Sequence, residues 1–210
     1  RYLGQVGDEA DVRALLATLN EGAPNSPLGL EVIAALGTLG RPSAFDALID
    51  LFGESDQAVR AAALAAGARV DAERFFVVLS GLASDPDWSV RSALATVLPT
   101  FPADRVRPAL LDLASDRDAR VHSAALQALA AIKAPELQGR LIAALASDDF
   151  VVRGTAARLI GETKPDGGVA RLVAAYARGQ SDAAYGARAA ALEALAAYGG
   201  EDALRTLESA

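Results

Sequence analysis

The sequence predicts an all-α protein, an α-solenoid of about six helix pairs with partial repeats at both ends, and three observations lead there. The first is composition. Hydrophobic residues make up 52% of the 210 and aromatics only 5%, with Ala and Leu dominant, the usage of many helices packed closely through small side chains. The second is self-similarity: "SDQAVRAAALAAG" at 55, "SDPDWSVRSALATVL" at 84, "SDRDARVHSAALQAL" at 115 and "SDDFVVRGTAARLIG" at 147 are copies of one motif. Asp56, Asp87, Asp118 and Asp149 stand 31 residues apart, as do Val59, Val90, Val121 and Val152. The third is a stripe within each copy. Val90, Ala93, Leu94, Val97 and Leu98 follow the i, i+3, i+4, i+7, i+8 spacing of an amphipathic helix.

That stripe defines a helix B in each unit. The repeated Asp sits just before it, where a short carboxylate accepts a hydrogen bond from an exposed N–H and meets the positive end of the helix. Upstream, Leu48, Leu79, Leu110, Leu141 and Leu172 form a second column at the same 31-residue interval. Segments such as "RPSAFDALIDLFG" and "PADRVRPALLDLA" open on Pro or a polar residue, so each unit also has a helix A. Pairs are expected at about 8–40, 41–70, 71–101, 102–132, 133–163 and 164–199. The loops "NEGAPNSP" and "RGQSDAA" lengthen the first and last pairs, and a four-residue excess makes Arg153 to Arg188 35 residues rather than 31. Short helix pairs that bury their faces only against the next pair stack into one array over 1–210. Residues 1–7 read as the end of a helix B and 200–210 as a helix A without its partner. With no initiator Met and no polar capping repeat, the chain reads as a slice of a longer protein.

The units carrying "DQAVRAAAL", "DWSVRSAL", "DARVHSAAL" and "DFVVRGTAA" resemble HEAT repeats, in the short bacterial form named after phycobilisome lyases. The resemblance covers nearly the whole chain. It implies a right-handed α-solenoid (alpha-alpha superhelix) whose helices B line the concave face. It also implies that the repeated Asp and Arg form a structural ladder from one repeat to the next, a role falling on Asp56, Arg60, Asp87, Arg91, Asp118, Asp149 and Arg153, with His122 in the slot of an arginine. Departures are expected at Glu31 in the Arg slot of the first pair, Ala184 in the Asp slot of the last, and Pro99 within a helix B.

The charge balance argues against nucleic acid and anionic lipid: 20 Lys and Arg against 27 Asp and Glu leave a net charge of −7. No apolar run reaches the ~20 residues that span a bilayer. With no Cys, disulfides and thiolate metal sites are excluded and the compartment stays open, cytoplasmic or periplasmic. His122 is the only histidine. A general base needs a substrate proton or nucleophile within reach, and catalytic zinc wants three protein ligands; neither set is identifiable, so no catalytic residue, metal or cofactor is expected. Acid pairs such as Asp85 with Asp87 and Asp148 with Asp149 read as helix caps and solvated charge.

What remains is surface. Opposite the apolar stripe lie Trp88, Ser92 and Thr96; Ala119, Ser123 and Gln127; Phe150, Gly154 and Arg158; and Tyr185, Ala189 and Glu193. Trp88, Phe150 and Tyr185 share one repeat position, and with Gln127 and Arg158 they are the candidate partner-binding residues. The expected activity is non-catalytic binding of a protein or peptide, by a monomer or a weak end-to-end associate. The alternatives are an accessory array of a larger bacterial enzyme, for example a cyclophilin-like peptidyl-prolyl isomerase, and a bilin lyase-like subunit.

Overall fold

The computed structural model describes residues 7–82, 84–182 and 184–208, and among them every regular element is helical. The expected helix end over 1–7 lies outside the described residues except for Gly7, as do Ser209 and Ala210 of the terminal helix A. Two compact units divide the chain after Phe101, at the junction between the third and fourth expected pairs.

In the first unit, helix A and helix B of the first pair are α1 (Glu9–Glu21) and α2 (Pro27–Leu39). The second helix A is broken into a 3-10 turn (Pro42–Ala44), α3 (Phe45–Asp50) and a second 3-10 turn (Leu51–Gly53), before α4 (Gln57–Val70). The third pair is α5 (Ala72–Leu82) and α6 (Trp88–Val97). In the second unit the pairs are α7 (Ala103–Leu113) with α8 (Ala119–Ala131), α9 (Leu137–Leu145) with α10 (Phe150–Thr163), and α11 (Gly168–Gly179) with α12 (Gly186–Tyr198). A last helix A, α13 (Glu201–Glu208), follows.

The repeated aspartates start the helices B. Asp56 accepts from the Ala58 N–H at 2.8 Å, Asp87 from Ser89 at 2.7 Å, Asp118 from Arg120 at 3.0 Å, and Asp149 from Val151 at 2.7 Å. In the first pair Ser26 plays this part for Gly29, 30 residues before Asp56. That register is one residue short, so the slot four past the cap holds Leu30 and not Glu31. Pro99 is not inside a helix B: α6 ends at Val97, and Pro99 sits in the 3-10 turn Leu98–Thr100, where its missing N–H costs no helical bond. α12 starts at Gly186, and its N-cap, Tyr185, lies one residue past the Ala184 slot and makes no side-chain cap bond.

Val59, Val90, Val121 and Val152 are all buried, as are Leu48, Leu110, Leu141 and Leu172. The third pair departs from the leucine column: Leu79 is half-buried, and Phe75 one turn earlier is fully buried, stacked on Phe101 at 5.6 Å between ring centroids. Within each unit a pair of successive helices B, α2 with α4 and α10 with α12, touches almost backbone to backbone. A Cβ placed on Gly37 would lie 2.7 Å from the Cα of Ala66 on the next helix B, and one on Gly161 would lie 2.8 Å from the Ala194 Cβ. This separation is what the Ala-rich composition is for.

Gly161 therefore inverts the usual helix rule. An interior Gly→Ala change ordinarily stabilises by ~1 kcal/mol, but Gly161→Ala adds a methyl where α10 and α12 leave no room, an overpacking cost of ~1–3 kcal/mol. The expected outcome is a lowered urea midpoint. Gly139→Ala, at an exposed position of α9 with nothing within 4 Å of the new carbon, raises it.

Candidate functional site

The arginine column joins each helix B to the loop that precedes it. Arg60 Nη1 donates to the carbonyls of Glu54 (2.8 Å) and Ser55 (3.0 Å), Arg91 Nη1 to those of Asp85 (2.8 Å) and Pro86 (2.9 Å), and Arg153 Nη1 to those of Ser147 (2.7 Å) and Asp148 (2.8 Å). Each arginine thus closes the turn five and six residues behind it. Arg60 and Arg153 also reach forward to the next pair. Arg60 grips Asp85 through Nε (2.9 Å) and Nη2 (3.1 Å), with the two side chains 13% and 10% exposed, and Arg153 Nη2 bonds Asp182. The Arg60 bridge is the planar, two-pronged geometry that arginine supplies and lysine does not, while Arg153 reaches Asp182 through Nη2 alone and its buried Nε has no hydrogen-bond partner among the described residues.

The forward acceptor of Arg60 is not the aspartate column assigned to the ladder. Asp56, Asp87, Asp118 and Asp149 accept from N–H groups of their own helices, while Asp85 stands two residues before the cap Asp87 and Asp182 three before the cap Tyr185. Asp85, read from sequence as solvated charge, is largely buried and also accepts from the N–H of Asp87 at 2.8 Å. The signal was present: Glu54, Asp85, Asp116 and Ser147 recur at 31, and Asp182 continues the series across the four-residue insertion. Asp87 itself is held below the usual carboxylate range by the hydroxyl and N–H of Ser89.

His122 occupies an arginine slot without an arginine's bonds; its side chain makes no hydrogen bond among the described residues. Burial, and next the Arg140 guanidinium, lower its pKa, while Asp116 and Asp149 pull the other way. No group of three or more His, Cys, Asp or Glu among the described residues is placed to hold a metal ion.

The surface candidates fall on both units. Trp88, in the first, begins α6 and is 37% exposed. In the second, Phe150 and Tyr185 stand at the starts of consecutive helices B and are 44% and 76% exposed, with Val151 exposed beside Phe150. The Arg188 guanidinium lies over the Tyr185 ring at 4.5 Å. Gln127 and Arg158, at equivalent positions of α8 and α10, are both exposed; Gln127 donates to the Ser123 carbonyl (3.3 Å) and Arg158 pairs with Glu162 (2.5 Å). Ser123, expected on the open face, is buried. At Gly154 on α10, the closest atom to an added Cβ would be Cα of Ala187, at 3.6 Å. A cleft of about 240 Å³ between α9 and α11 has aliphatic walls, with Arg171 and Arg178 exposed at its edge.

Paired helices repeating every 31 residues, capped by aspartate and tied by arginine, define an α-helical repeat protein of the solenoid class. The sequence model described as HEAT repeats matches residues 77–149 and 137–210, and the chain belongs to that family. Comparison with the curated proteins finds no match. Among solved structures, the complex of CpcE and CpcF of phycocyanin lyase from Nostoc sp. PCC7120 is similar at 23% identity and a TM-score of 0.50, covering 99% of this chain and 84% of that one. An engineered protein matches at 18% identity and a TM-score of 0.50, over 95% of this chain and 99% of its own. These likenesses concern the fold. No helix of the described residues is long and apolar enough to cross a membrane.

Two outcomes follow from the rungs and the histidine. Asp85→Ala leaves the Arg60 guanidinium without its carboxylate and should cost about 2 kcal/mol in denaturant unfolding, whereas Asp87→Asn keeps a capping oxygen and should cost much less. For His122, a folded-state pKa below the ordinary 6.5 means that the unfolded chain takes the proton first. Its contribution is complete above 6.5 and is lost as pH falls from there to the folded value. Stability should thus decline on acidification through this window in the parent protein and less so in His122→Gln. Parallel pH profiles of the two would refute the assignment, since His122 is the only histidine.

Proposed function

We propose that this protein is a non-catalytic scaffold that binds a protein or peptide on the exposed helix B surface of its second unit. The observation that carries the reading is the pair of large aromatic side chains, Phe150 and Tyr185, left open at the starts of two helices packed against each other. In a chain with 5% aromatics, where Phe45, Phe75 and Phe101 are buried in the core, exposed rings at equivalent positions are the natural anchors. Arg158 farther along α10 and Gln127 on the neighbouring α8 supply polar contacts, and the acidic chain as a whole favours a partner that is not a polyanion. Membership of the HEAT repeats supports the same reading. Trp88 takes the equivalent position in the first unit.

The test begins from a partner captured with the intact chain and then measured with purified components. Phe150→Ala together with Tyr185→Ala should weaken affinity at least tenfold, since buried aromatic anchors are each worth on the order of 2 kcal/mol. The unfolding midpoint should barely move, because both rings are open to solvent. An affinity indifferent to both substitutions, with the fold intact, defeats the surface assignment.

A further inference from the structure

We infer that the step between the fourth helix pair (α7, α8) and the fifth (α9, α10) is a built-in flexure of the second unit, a joint whose bending changes the spacing between Gln127 on α8 and Arg158 on α10. The inference rests on the rungs and not on the binding role proposed above. A rung needs an arginine four residues past a cap and a carboxylate two or three residues before the next cap. Both are present in the step Arg60 to Asp85 and in the step Arg153 to Asp182. At the step from the fourth pair to the fifth, both are gone: the donor slot holds His122 and the acceptor slot Ser147.

The two losses match. A retained Asp at 147 would be a half-buried carboxylate without its cation, and a retained Arg at 122 a cation without its carboxylate, the arrangements that cost most in a partly buried setting. With both removed, the step carries no electrostatic penalty and no clamp. The residues present do not rebuild one. Imidazole is shorter than guanidinium and offers two ring nitrogens where arginine has five N–H donors. The Ser147 hydroxyl accepts locally, from the Asp149 N–H at 3.2 Å.

The bonds that do cross this step point the same way. Between the pairs, Arg140 of α9 reaches the Ser115 hydroxyl at 2.9 Å, and Arg107 stands 4.0 Å from Glu136 with both side chains well exposed. A neutral acceptor and a long, solvated ion pair hold far less firmly than a buried two-pronged bridge. Helix packing between α8 and α10 keeps the pairs together through apolar faces such as Val121 and Val152, so the step bends without separating. Low local constraint between two well-packed blocks is the physical description of a hinge.

The chain has no cysteine, which makes the test direct. Spin labels on Gln127→Cys and Arg158→Cys report across the step without a rung, and labels on Arg158→Cys and Glu193→Cys report across the step that Arg153 and Asp182 bridge. Pulsed dipolar spectroscopy should give a distinctly broader distance distribution for the first pair. In the background of His122→Arg with Ser147→Asp the first distribution should narrow to match the second, and amide protection across α8 and α10 should rise about fivefold beyond the product of the single changes, the size of coupling expected for residues in contact. Equal widths for the two label pairs in the parent background overturn the proposal even if the double variant does not fold. A folded double variant whose width and protection are unchanged overturns it as well.

Discussion

The near-backbone contact between successive helices B is the constraint on which the rest of this structure depends. Gly37 against Ala66 and Gly161 against Ala194 leave no space for even a methyl group. A helix pair of this size cannot bury its apolar stripe by itself. It must lie against the next pair at a separation small side chains permit, and that requirement propagates as Ala, Gly and Val at fixed register. The valines at 59, 90, 121 and 152 are buried for this reason, and aromatic rings are excluded from most of the interior. Where a helix A deviates, as at Phe75 and Phe101, a ring pair takes over from the leucine column.

Close packing of helices sets their spacing but leaves sliding and rocking inexpensive, because small side chains interdigitate shallowly. Directional bonds at the helix starts supply what is missing. Each arginine closes its own preceding loop, and the forward bonds of Arg60 and Arg153 fix the position of the next loop. At the other end of α10, Lys164, in the left-handed conformation, donates to the Ala197 carbonyl at the end of α12 (2.5 Å), and the Tyr198 hydroxyl donates to Pro165 (2.8 Å). Tyr198 fits because residue 168 is glycine: a Cβ there would meet the phenol oxygen at 1.9 Å. The last two complete pairs are therefore tied at both ends of their helices B, and their exposed rings at 150 and 185 sit on the most firmly joined part of the second unit.

A surface held this way suits recognition better than catalysis. Catalytic groups must converge on one point with a substrate between them, whereas a repeat array spreads equivalent side chains along a line. Phe150 with Tyr185 and Gln127 with Arg158 are such sets. In the scaffold proposed above, recognition would depend on how well the line matches its partner, and the stiffness of each step would enter the binding chemistry.

The period, the helix pairs, the aspartate caps and the arginine slots were all legible in the amino-acid sequence, because each is a local property: a stripe of apolar residues, a short acid before it and a fixed spacing. His122 was recognisable as an arginine substitute by counting alone. What the arginines bond to was not, since a carboxylate at position 85 and one at 87 look alike until the loop is folded. One turns back to its helix while the other faces the preceding pair. The one-residue shift that puts Leu30 in place of Glu31, the end of α6 before Pro99 and the burial of Ser123 were decided the same way. Local pattern determines which segments become helices and where they begin. Only their packing, which depends on residues distant in the chain meeting at a fixed separation, determines which polar groups face each other and which parts of a helix remain open.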